Sequence, residues 1–188
     1  MKHFYEDIEG FMTDRNLNLF NMVINSTYEN FTWVELGSWT GKSVAYCVVE
    51  LINKPLENFK FYSVDTWKGA AEHQEYDMVK QDTLYDVFLE NTNPVKQYIT
   101  PLREFSYEAA NNFDDGSVNF CYVDADHSYE GVTKDLEAWW PKIKKGCYFG
   151  GDDYTKGWPG VQHAVNDFFG NKGIKVKRVG RCWLVVKT

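Results

Sequence analysis

Asp124, Asp126, His127, Asp152 and Asp153 are the residues whose types and spacing best suit chemistry. Asp152 and Asp153 follow Asp124 by 28 and 29 positions, and both groups end apolar runs that read as strands. Hard oxygen ligands at adjacent strand ends suit Mg2+, which keeps several waters and takes substrate oxygens. A bound divalent ion would lower a hydroxyl pKa and fix a nucleophile. Without a cation, carboxylates crowded at one site repel one another and a pKa rises. The plainer alternative is that these acids cap helices and meet lysines. Histidine suits general-base work because its unperturbed pKa lies near neutrality. His127 is therefore a candidate base, with Asp126 as its orienting partner or as the base itself. It could equally be a surface histidine that caps the next helix.

A second group is the loop Glu35-Leu-Gly37-Ser38-Trp-Thr-Gly41-Lys-Ser43. Two glycines four apart let a backbone turn tightly and approach a ligand. The loop is one residue short of a phosphate-wrapping P-loop, despite the Gly-Lys-Ser at 41–43. A dinucleotide fingerprint would need glycine where Trp39 and Lys42 stand. Asp65 ends the next apolar run, and a carboxylate there offers acceptors to two O–H donors. A helix or turn cap is the alternative for Asp65, and an ordinary tight βα turn is the alternative for the glycines.

These residues need elements to carry them. Apolar runs predict strands at 32–37, 59–65, 97–102, 118–124 and 147–153, and a closing antiparallel pair at 174–180 and 181–188. Helical spacing predicts helices at 4–24, 41–53, 77–91, 106–113, 128–140 (with Ser128 as cap) and 158–169. Alternating βα units imply an α/β, Rossmann-like, doubly wound and mostly parallel seven-stranded sheet with a C-terminal antiparallel pair. Ligands then bind beyond the carboxyl ends of the strands, near the switch point. Four of the first five strand ends carry carboxylates, an expensive arrangement near a core unless it is used. The stretch 66–76 is long for a βα connection and holds Trp67, His73 and Tyr76, so it reads as a lid. Trp158-Pro-Gly160 could form the opposite rim.

The 188 residues suit one domain, 1–188, with 1–30 as an N-terminal helical extension. The chain is 44% hydrophobic, 17% aromatic and 25% charged, which excludes disorder. Twenty basic residues against 27 acidic ones give −7, which argues against gripping nucleic acid or an anionic membrane. No apolar run is long enough for a transmembrane helix. Cys47, Cys121, Cys147 and Cys182 form no Cys-x-x-Cys pair and lie in apolar segments. Buried free thiols, no leader and a cytoplasmic location are expected. The aromatic N-terminal helix could pair two chains as a homodimer.

The pattern Glu-x-Gly-x-x-x-Gly-x-Ser at 35–43 resembles motif I of class I S-adenosylmethionine (SAM) methyltransferases, and Asp65 matches their ribose-holding acid. The segment VDADHSYEGVTKDLEAWWPKIKKGCYFGGDDY resembles a small Asp-x-Asp-His-x-Tyr branch, similar to the cation-dependent O-methyltransferases of the catechol, caffeoyl-CoA and macrocin types. The likeness covers roughly residues 30–187. It implies a cofactor site of Glu35, Gly37, Ser38, Gly41, Ser43, Asp65, Thr66, Trp67, Ser106 and Asp124, with Ser106 at the adenine and Thr66 and Trp67 flanking its ring. It implies Mg2+ on Asp124, Asp152 and Asp153. The macrocin type has a second acid where Asp126 stands. The catechol and caffeoyl-CoA types have a lysine base where His127 stands, which is a departure. The expected reaction is methyl transfer from SAM to an oxygen of a small molecule or sugar, assisted by Mg2+. A catalytically silent SAM-binding module is one rival; a metal-dependent hydrolase or hydroxylase on the same fold is another.

Overall fold

In a computed structural model, which describes residues 1–56 and 58–188, the chain forms one seven-stranded sheet between helices. The strands are β1 (Phe31–Leu36), β2 (Phe59–Val64), β3 (Ile99–Leu102), β4 (Val118–Val123), β5 (Ile143–Gly151), β6 (Lys177–Val179) and β7 (Cys182–Val186). Their order is β3-β2-β1-β4-β5-β7-β6. β1 to β5 run parallel, and β7 is antiparallel to β5 and β6. This is the doubly wound architecture expected, with its switch point between β1 and β4.

The helices are α1 (Asp14–Asn25), α2 (Lys42–Asn53), α3 (Asp77–Lys80), α4 (Leu84–Thr92), α5 (Ser106–Ala109), α6 (Tyr129–Trp139) and α7 (Pro159–Gly170). Strand alternation divides the core in two. Phe31 and Trp33 of β1, with Phe120 and Tyr122 of β4, pack towards α1, α2 and α4. Val34, Leu36, Cys121 and Val123 face α6 and α7 on the other side. All six residues of β4 are buried, as a central parallel strand requires. Each large apolar side chain so buried contributes roughly 1.5–3 kcal/mol before entropy is counted. All four cysteines are buried free thiols. No helix among the described residues is long and apolar enough to cross a membrane.

The helix expected over 106–113 tightens after α5 into a 3-10 turn at Ala110–Asn112, and two others are interrupted. The helix expected over 4–24 becomes a 3-10 turn at Tyr5–Asp7 and then α1. Thr13 starts α1 by a reciprocal cap, its backbone N–H donating to Asn16 Oδ1 at 3.0 Å. The linking residues cross the glycine loop, where Thr40 Oγ1 donates to the Glu9 carbonyl. The helix expected over 77–91 breaks into α3 and α4 around Asp82, whose φ of +53° no helix accepts. Helical periodicity shows neither break, because the apolar face continues across both.

Candidate active site

A cavity of about 980 Å3 opens at the carboxyl ends of the parallel strands. Its first wall is the glycine loop. Gly37 has φ +87°, and a Cβ there would lie 1.9 Å from the Asp124 carbonyl oxygen. Only glycine lets the ends of β1 and β4 approach this closely at the switch point. Gly41 also has a positive φ, but a Cβ there would meet Thr92 Cγ2 at 2.6 Å. It therefore seats α2 against α4 and does not line the cavity. Ser43 Oγ donates to Glu35 Oε1 at 2.6 Å beneath the loop. Burial pushes the Glu35 carboxyl up to about 8, so it is neutral at pH 7.

Asp65 clamps the loop. Its Oδ2 accepts from the backbone N–H groups of Ser38 and Trp39, both at 2.9 Å, and its Oδ1 accepts from Trp67 at 2.8 Å. One acceptor direction of Oδ1 remains for a hydroxyl. Thr66 and Ser106 line the cavity. Ser106 is held from behind, its carbonyl accepting from Trp139 Nε1 at 2.8 Å. Buried Asp135 sits near the Ser106 hydroxyl, and burial pushes its carboxyl up to about 7. Trp67 departs from its expected place. It is wholly buried against Tyr85 and Phe88, and its Nε1 donates to the Trp39 carbonyl. A side chain packed into that core cannot flank an adenine ring.

The opposite wall holds the acids. His127 joins two elements: Nδ1 donates to Glu72 Oε1 at 2.8 Å, while Nε2 lies 3.1 Å from Asp153 Oδ2 and 3.7 Å from Asp124 Oδ1. Burial alone would lower the imidazole pKa, but Asp124, Asp153 and Glu72 outweigh it and push it up to about 11. Held this high, the ring favours the imidazolium form at neutral pH, which argues against its expected role as base. Glu72 is its orienting partner. Asp126, expected there, instead accepts from the Ser128 backbone N–H at 2.6 Å, just ahead of α6. Burial, then the neighbouring Asp152, push Asp124 up to about 7. Trp158 lies against the His127 ring with centroids 4.2 Å apart and forms the rim expected of it.

The magnesium set expected at Asp124, Asp152 and Asp153 does not fit this arrangement. Asp152 Oδ1 lies 2.9 Å from Arg181 Nε and accepts from the Asp153 N–H at 2.7 Å. Its Oδ2 accepts from Asn16 Nδ2. Asp153 accepts from Arg181 Nη2 and faces His127. A divalent ion needs open oxygens, and these are already engaged by the chain's own cations. Asp124, His127 and Asp153 do bring one ligand atom each within 4.8 Å of one another. In this arrangement the imidazole Nε2 is turned to the two carboxylates, 3.1 Å from Asp153 Oδ2 and 3.7 Å from Asp124 Oδ1.

The residues fit SAM better. Ser38 lines the cavity, and its Oγ is buried without a hydrogen-bond partner, so it is free to meet a ligand. It stands beside the close-packed Gly37 and the half-satisfied Asp65.

Among the residues of this site that escaped the sequence reading are Asn16, Phe11, Glu72 and Arg181. Phe11 and Trp39 meet His73 and Tyr76 of the 66–76 loop in a ring cluster on the cavity wall. Thr13 and Asn16 form a local capping pair, but nothing local links position 72 to His127 or position 181 to Asp153.

The comparisons follow this geometry. A family model described as a methyltransferase domain (Methyltransf_24) matches residues 34–154. A curated relative, uncharacterized protein R132 of Acanthamoeba polyphaga mimivirus, is 26% identical over 140 residues, covering 73% of this chain and 59% of its own length. The chain thus spans under two thirds of that relative. The O-methyltransferase NovP superposes with a TM-score of 0.70 at 14% identity, over 93% of this chain and 80% of NovP. CalS11, a TDP-rhamnose 3'-O-methyltransferase, gives 0.61 at 17%, over 91% and 77%. A SAM-dependent O-methyltransferase of Thermotoga maritima gives 0.65 at 10%, over 97% and 68%. At such identities these likenesses show the fold; the family match carries the assignment. The chain belongs to the methyltransferase-domain family, among the class I SAM-dependent methyltransferases.

Proposed function

We propose that this protein methylates a hydroxyl oxygen of a small molecule, with a sugar among the candidate acceptors. The observation that carries the reading is one cavity with two unlike walls. The glycine loop and Asp65 form the first; the second joins carboxylates to His127 and Arg181. Gly37, Ser38, Asp65, Thr66 and Ser106 would hold SAM, which supplies a methyl group already activated on a sulfonium. A nitrogen acceptor needs no such cluster of titratable groups, so the second wall favours oxygen. NovP and CalS11 are O-methyltransferases by description, which agrees with this reading.

The chain's part is alignment, exclusion of water and removal of one proton. The proton passes to Asp124, His127 and Asp153 acting as one coupled group. Within it Asp124, pushed up to about 7, has room for a proton at neutral pH. His127 stays protonated and holds the two aspartates at their spacing. The expected magnesium assistance is not carried forward, because Arg181 and His127 already meet the acids. A silent SAM-binding module remains the rival, and turnover separates the two. The experiment is incubation with methyl-labelled SAM and a panel of sugars, catechols and other hydroxyl acceptors, in EDTA. Label transferred to oxygen supports the proposal. Transfer confined to amines, or none across the panel despite cofactor binding, counts against it.

A further inference from the structure

We propose that Arg181 is the resident cation of the acceptor side of the cavity, standing where a divalent metal would otherwise bridge Asp152 and Asp153. Arg181 begins the approach to β7, and the antiparallel register of β7 on β5 pairs Gly151 with Trp183. That register carries the residue back beside the acid pair, where the Tyr154 N–H donates to the Arg181 carbonyl at 2.7 Å. The side chain then spans both acids: Nε lies 2.9 Å from Asp152 Oδ1, and Nη2 donates to Asp153 Oδ1. The Nη2 contact is a hydrogen bond, while Nε meets Asp152 as a close ion pair without a hydrogen bond, so one cation balances both acids.

Asn16 completes the arrangement. It reaches in from α1, with its own Oδ1 fixed by Thr13, and donates Nδ2 to Asp152 Oδ2 and to the Tyr122 hydroxyl at 3.0 Å. Each Asp152 oxygen is thereby engaged from inside the chain. The acids are 92% buried, so an unpaired pair would be costly. Arg181 also lines the cavity. A guanidinium carries five N–H donors, and one of them, on Nη2, is hydrogen-bonded to Asp153. The others can meet the oxygen of an acceptor, the task a metal performs in a cation-dependent site. The use of the site rests on the methyltransferase reading; the pairing of Arg181 with the acids does not.

The test is Mn2+ titration of the whole chain, read by electron paramagnetic resonance, for the wild type and Arg181→Gln. The wild type is expected to bind Mn2+ only weakly. Arg181→Gln removes the guanidinium charge from the two carboxylates and is expected to bind Mn2+ at least about tenfold more tightly. Circular dichroism reports whether the variant folds. If it does not, Arg181→Lys serves, because one ammonium cannot span both acids; it too is expected to bind Mn2+ more tightly than the wild type. Micromolar Mn2+ binding by the wild type overturns the proposal, as does a folded variant that gains no affinity. A separate titration of the wild type with S-adenosylhomocysteine reports on the methyltransferase reading. Its failure leaves the Mn2+ result interpretable, and the reverse also holds.

Discussion

The two walls of the cavity are built by opposite means. The wall at β1 and β2 rests on backbone: Gly37 lies against the Asp124 carbonyl, and three main-chain N–H groups converge on Asp65. The wall at β4, β5 and β7 rests on side chains drawn from distant segments. Asn16, Glu72 and Arg181 meet Asp152, His127 and Asp153 there. A backbone cradle offers one shape and suits an invariant ligand. A side-chain network can be rebuilt by few substitutions and suits a variable acceptor. Its charges also move one another's pKa values, whereas Glu35 beneath the first wall is shifted chiefly by burial.

Breaking the backbone wall should have the largest effect. Gly37→Ala forces a Cβ into the Asp124 carbonyl from a positive φ. A loss of roughly 4 kcal/mol or more is expected, a large share of a typical stability, read as a shift in the urea midpoint. Unchanged stability would mean that the β1 and β4 ends are not locked together. Asp65→Ala comes next, weakening S-adenosylhomocysteine binding about 100-fold in calorimetry by freeing the loop and removing an acceptor. Wild-type affinity in that variant would reduce Asp65 to a turn cap.

Asn16→Ala attacks the other wall. It strips a donor from Asp152 and removes the reciprocal cap of α1. About 1–3 kcal/mol of stability should be lost, with far less effect on S-adenosylhomocysteine affinity than Asp65→Ala has. Equal losses of cofactor affinity in the two variants would erase the distinction between the walls. The smallest effect sharpens the first wall through pH. Glu35 titrates at about 8 when folded against an ordinary 4.5. Between those values the folded chain keeps a proton that the unfolded chain releases. The Glu35 contribution therefore makes stability fall as pH rises from about 4.5 to about 8. Glu35→Gln should flatten that part of the profile, measured as urea midpoints across pH; an unchanged slope would show Glu35 ionised in the fold.

The same contrast decides what could be read from the residues alone. The βα alternation marked the five parallel strands, since a parallel strand must be apolar on both faces, and alternating character marked the antiparallel pair β6 and β7. Gly37, Asp65 and the Asp124 group stood out because their chemistry lies within one strand end each. Trp67 misled, because adjacency to Asp65 says nothing of its direction, and φ of +53° turns it into the core. Asp126 lies next to His127 in the chain, yet the partner is Glu72, 55 residues away. Arg181 meets its acids only through the β5–β7 register. Pairings of this length depend on tertiary folding, and local patterns do not encode them.

The central claim is that a backbone-built cofactor wall works beside a wall whose charge is balanced from within. Calorimetric titration of S-adenosylhomocysteine, in EDTA and again with Mg2+, tests it most directly. The account predicts micromolar binding in EDTA, unaltered by Mg2+. Absence of binding in both buffers, or binding that appears only when Mg2+ is added, would contradict it.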